Sequence, residues 1–217
     1  MSKLQPIADP SAHTAALTGC PASEVRRMEP WRGHAAFHTT GEFSRRDDRV
    51  YHKHCGPTAF TNLICTLRSR LGMEPVEPTA VFDRCAAIGR RRLLYWNIRD
   101  DVPVLGGTSY LLLRPYVSAC LRDFGLGDAR LTWRLQARPE RMARELEQGK
   151  LLVLGMTRHR CYGSHLVMAC GTVYVAAADG SAPRLYLLVA DGWSHRPRYI
   201  AADTLRLCGY AAVEIRS

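Results

Sequence analysis

The chain has 217 residues, of which 47% are hydrophobic, enough for one globular core, with two small lobes as the alternative. No run approaches the ~18 apolar residues of a bilayer-spanning helix, and the segment up to Arg27 lacks the apolar stretch of a secretion signal, so a cytoplasmic protein is expected. The net charge of +10, from 30 basic and 20 acidic side chains, is spread along the chain; the one dense run is Arg90-Arg91-Arg92, without aromatic-basic motifs, so it reads as a solvated surface rather than a nucleic-acid footprint.

Residues 1–45 mix Pro, Ala, His and Arg with little periodicity and read as an irregular arm, with a short helix near Ala22–Met28. From Cys55 the pattern sharpens. Phe60, Leu63, Ile64, Leu67 and Leu71 follow helical spacing, Pro57 suits a first turn, and Gly72 suits a stop. Further helices are predicted over 79–88, over 109–124 (entered after Gly106-Gly107-Thr108) and over 139–148. Beyond residue 150 the apolar runs shorten into strands: 151–156, 165–176, 185–190 and 211–215. Helices first and strands afterwards predict an α+β protein with an antiparallel sheet.

Eight cysteines could form disulfides, but Cys65, Cys85, Cys120 and Cys170 sit inside apolar patterns, as reduced buried thiols do. Cys55 differs. It stands immediately before a helix and follows His52, Lys53 and His54. A helix N-terminus and nearby cations lower a thiol pKa and favour the reactive thiolate. His165, after Gly163-Ser164 at the start of an apolar strand, is the candidate base. Asp191, where Leu185–Ala190 runs into Asp-Gly-Trp, is the candidate orienting group, its carboxylate accepting from the His165 ring. A turn-forming role for Asp191 is compatible with that.

Cys55-Gly56-Pro57-Thr58-Ala59, with Asn62 and Leu63 further along, resembles the nucleophile helix of papain-like cysteine peptidases. Within that superfamily it looks like the double-glycine leader (bacteriocin-processing) peptidases and their stand-alone relatives. Residues 139–156, the His165 strand and the "LYLLVADGW" strand follow in the family's order, so the resemblance spans roughly 50–215. It implies a papain-like domain over 46–217, a Cys55-His165-Asp191 triad, a peptide or amide substrate, and neither cofactor nor metal. Trp193 matches the spacing of the tryptophan that shields the orienting residue in papain. The family's oxyanion glutamine falls at Arg49 in this chain, and His54 or His52 is the expected substitute donor.

Three other readings stand beside a hydrolase. An acyltransferase or transpeptidase shares the thioester and differs only in its acceptor. A catalytically inactive binding module keeps the fold. A zinc site drawn from His52, His54 and Cys55, or from His159, Cys161 and His165, is the weakest, because neither cluster has paired Cys-x-x-Cys spacing.

Overall fold

The computed structural model describes residues 5–30, 37–46, 49–98, 107–136, 138–206 and 208–215. In chain order the elements are α1 (Pro10–Thr18), β1 (Ala22–Met28), α2 (Thr40–Phe43), β2 (Arg45–Arg46), β3 (Arg49–Val50), α3 (Cys55–Arg70), α4 (Pro78–Arg91), α5 (Leu113–Asp123), β4 (Arg130–Arg134), α6 (Pro139–Glu147), β5 (Leu151–His159), β6 (Gly163–Ala177), β7 (Arg184–Ala190), β8 (Arg198–Ala201) and β9 (Cys208–Glu214). Short 3₁₀ turns precede α5, at Tyr110–Leu112, and follow β8, at Ala202–Thr204. Gly106, expected in the approach to α5, lies outside the described residues.

Seven strands form one antiparallel sheet in the order β4-β9-β5-β6-β7-β8, and β1 pairs with β6 as well. The 15-residue β6 is long enough to hold two partners on one flank. β5 pairs with it up to Ala169, and β1 takes over from Thr172. The chain is therefore an α+β protein with helices packed on an antiparallel sheet.

One expectation for the first 45 residues needs correcting. Ala22–Met28 is a strand, not a helix. The described part of the segment also holds a helix, α1, capped by the Asp9 carboxylate, which accepts from the N–H groups of Ser11 and Ala12. β1 escapes a periodicity reading because most of its side chains are exposed. Its stability comes from main-chain pairing with β6, which any side chain permits.

Strand alternation divides the sheet between two apolar layers. Leu166 and Met168 of β6 join Phe60, Leu63 and Leu67 of α3, together with buried residues of α4 and α5. Val167 and Ala169 face the other way, into a smaller layer with Met142 and Leu146 of α6. In α3, every residue from Gly56 to Ile64 is buried. A helix enclosed on all sides is a rigid platform, and Cys55 is its first residue. None of the described helices is long and apolar enough to cross a membrane.

Candidate active site

The approach to α3 is tightly held. Lys53 adopts φ 47°, a left-handed conformation that costs a side-chain-bearing residue energy and persists only where the surroundings impose it. The segment at Gly107-Thr108 lies across this turn. A Cβ built on Gly56 would come within 2.3 Å of Thr108 Oγ1, so glycine after the cysteine is required by close approach.

The first main-chain hydrogen bond of α3 runs from the Thr58 N–H to the His54 carbonyl, 3.0 Å. The N–H groups of Cys55 and Gly56 precede it and have no partner within the helix, the usual condition of a first turn. These groups give the N-terminus its positive end, and the Cys55 thiol sits beside them.

The structure brings Cys55 and His165 together. The ring is close enough to act on the thiol, as are the backbone N–H groups of Leu166 and Gly56. Burial pushes the Cys55 thiol up, but the His165 ring and its charge, helped by those two N–H groups, outweigh it and leave the thiol below its ordinary value. His165 moves the opposite way. Burial pushes its ring down, while Cys55, the Asp191 carbonyl and the Asp191 charge raise it to a net position above the ordinary histidine value. Opposed shifts of this kind favour a thiolate–imidazolium pair.

Asp191 holds the ring by a different atom from the one expected. His165 Nε2 donates to the backbone carbonyl of Asp191 at 2.7 Å, which leaves Nδ1 for the thiol. The carboxylate instead folds back over its own turn. Its Oδ1 accepts from the N–H groups of Trp193, 2.9 Å, and Ser194, 3.0 Å. This is the Asx-turn that a short carboxylate makes readily, and Gly192 supplies the required φ of 73°. Oδ2 accepts from the Tyr162 hydroxyl at 3.3 Å. Asp191 is completely buried, and its effect on His165 is a main-chain bond plus charge at a distance.

Trp193 lies over the histidine with ring centroids 5.0 Å apart, while remaining 48% exposed. Tyr162 covers the ring as well, nearly parallel at 5.6 Å. Sequence reasoning missed Tyr162. Its only signal was an aromatic residue in the turn three positions before His165.

The two candidate oxyanion histidines are held by contacts of their own. His54 Nε2 donates to the Thr40 carbonyl at 2.9 Å, and its buried ring meets Phe82 edge-on, with centroids 5.6 Å apart. Thr40 in turn donates to the Gly192 carbonyl from its N–H, 2.7 Å, and its hydroxyl, 3.0 Å. His54 Nε2 thus joins the start of α3 to α2 and, through Thr40, to the Asp191 turn. His52 is anchored through its backbone. Its N–H donates to Asn97 Oδ1 at 2.7 Å and its carbonyl accepts from the Tyr95 hydroxyl at 2.8 Å. Arg49, at the glutamine position, belongs to β3, but its side chain lies outside the described residues.

Asn62, one helical turn beyond Thr58, fastens the segment before α2. Its Oδ1 accepts from the His38 N–H at 2.7 Å and its Nδ2 donates to the His38 carbonyl at 3.0 Å. His159 is occupied by its own turn: Nδ1 accepts from the Cys161 and Tyr162 N–H groups, and Nε2 meets Thr204 Oγ1 at 3.0 Å. Among the described residues, no group of three or more His, Cys, Asp and Glu side chains converges as metal ligands would. No family model matches the chain, and no curated protein matches it.

Proposed function

We propose that the chain is a cysteine-dependent amide hydrolase of papain-like architecture, acting on a peptide or amide through a thioester on Cys55. One observation carries this reading. The Cys55 thiol at the N-terminus of a buried helix lies within reach of His165, whose interaction with it outweighs burial, and the ring is fixed through Nε2 by the Asp191 carbonyl. A structural thiol has no need of an oriented imidazole, and burial alone would raise its pKa.

In the proposed reaction the thiolate attacks the substrate carbonyl carbon and the carbonyl π electrons move to oxygen. The resulting oxyanion sits beside the Cys55 N–H, which the helix does not use. His165 gives its Nδ1 proton to the departing amine, and the C–N bond breaks to leave the thioester. The neutral ring then takes a proton from water, the hydroxide adds to the thioester, and the C–S bond breaks to release the acid. Trp193 and Tyr162 keep solvent off the His165–Asp191 bond, which strengthens it in a site of low dielectric.

Eight free thiols fit a reducing compartment, and we place the protein in the cytoplasm on that ground. A library of fluorogenic peptide amides, assayed with the native protein and Cys55→Ala, tests the reading. Turnover that disappears in the variant supports it, and equal turnover by both overturns it.

A further inference from the structure

On the sheet face opposite α3, α6 covers one end of the apolar layer, and Met156, Tyr162, Ile200, Leu205 and Cys208 lie in the same layer. These last five residues border a cavity of about 690 Å³ between the β5–β6 turn, α1 with the segment before it, and β8 with the 3₁₀ turn after it. Its apolar floor, Met156, Tyr162, Ile200 and Leu205, is buried. Arg158, Arg160, Arg184 and Arg206 also line it, against a single carboxylate, Asp203.

Asp203 is already paired with Arg184. Arg158, Arg160 and Arg206 form no ion pair with the described residues. His13 and His159, also in the wall, add little charge near neutral pH: burial, with Arg184 beside His13, holds the first low, and burial alone holds the second low. The positive excess therefore belongs to the guanidinium groups. Cys55, His165 and Trp193 do not border the cavity, although Tyr162, which covers the His165 ring, lines it from the other side.

We propose that this cavity binds an amphiphilic anion, a molecule with an apolar body and one carboxylate or phosphate head. The volume lies within the ~300–1,000 Å³ typical of small-molecule sites, far more than a bare inorganic anion fills. The buried floor rewards an apolar body, and the arginine forks suit a planar or tetrahedral oxyanion head.

Calorimetric titration with decanoate and decyl phosphate, each below its micelle concentration, tests the proposal, with decanol and inorganic phosphate as controls. Both amphiphilic anions should bind saturably at one site, and decanol and phosphate at least about tenfold more weakly, because each lacks one of the two contacts. The ratio of the two anions tells a carboxylate source from a phosphate source. Arg160 and Arg206 are exposed, so Arg160→Glu/Arg206→Glu should fold normally. It should weaken decanoate at least about tenfold. Leu17→Glu, at an exposed wall position, should weaken both anions and leave the melting temperature unchanged. Absence of saturable binding, equal affinity for decanol, or undiminished decanoate binding by the double arginine variant overturns the proposal.

Discussion

Replacing His165 by alanine removes the side chain that acts on the Cys55 thiol and leaves much of its burial in place. The native thiol lies below its ordinary value only because the ring outweighs that burial. In the variant, the N–H groups of Leu166 and Gly56 and the helix N-terminus remain to favour the thiolate. Losing an opposite charge at hydrogen-bond range moves a buried group's midpoint by about one to three pH units. Below both midpoints each unit costs about tenfold in thiolate, while the more basic sulfur recovers roughly 0.4–0.5 of a log unit in nucleophilicity. For a displacement of about two pH units the net slowing is therefore about tenfold. The assay is the alkylation rate of Cys55 by iodoacetamide across the pH range, followed by peptide mass spectrometry. We expect the midpoint of the His165→Ala profile to rise by more than about one unit. A midpoint that stays where it was refutes the pairing of thiol and ring.

The native pH dependence follows from the same two groups. A depressed thiol stays ionised below its ordinary range and a raised imidazole stays protonated above its own, so both shifts favour coexistence of thiolate and imidazolium. Alkylation of Cys55 should fall only as pH drops through the thiol midpoint, and amide turnover should also fall as pH rises through the histidine midpoint. Asp191→Asn keeps a turn acceptor and the main-chain carbonyl, so activity should fall less than about tenfold, against the ~10⁴-fold loss seen where a carboxylate itself orients the histidine; a loss of that larger size would mean that the carboxylate takes over in the working enzyme. Gly56→Ala forces Cβ against Thr108, and thermal melts should show a destabilisation of about 1–3 kcal/mol that Gly56→Ala/Thr108→Ala, which removes the nearest atom, relieves in part. His54→Ala leaves the Thr40 carbonyl without its donor and opens a gap beside Phe82, so it should lower stability by about 2–4 kcal/mol, and unchanged stability with slowed acylation would favour the oxyanion role.

Much of the architecture was legible because apolar spacing carries it. The helix expected from Cys55 ends one residue before Leu71, and Gly72 takes the positive φ expected of a stop, 62°. The strands after residue 150 are longer than predicted, since β5 continues through Thr157–His159 and β6 begins at Gly163 with polar residues that leave no apolar signal. β1, β4 and β8 were missed because Ala22–Met28, Arg130–Arg134 and Arg198–Ala201 are short or arginine-bearing; partners distant in the chain specify β1 and β4, and β8 is a four-residue strand beside β7. At the site, residue types and order pointed to Cys55, His165 and Asp191. Which oxygen of Asp191 meets the ring depends on the turn at Gly192, and sequence spacing does not encode that. The Thr40 contact of His54 Nε2 was not legible either, because a histidine beside a cysteine looks the same whether its ring faces a substrate or a carbonyl.

The most direct measurement is a competition among the eight thiols. Burial pushes Cys65 up to about 11 and also raises Cys85, Cys161 and Cys170, whereas Cys55 moves down. With iodoacetamide limiting at slightly acidic pH, site-resolved mass spectrometry should find Cys55 modified first, with that preference lost in His165→Ala. Modification of Cys20 or Cys161 ahead of Cys55 in the native protein would contradict an activated nucleophile at the head of α3.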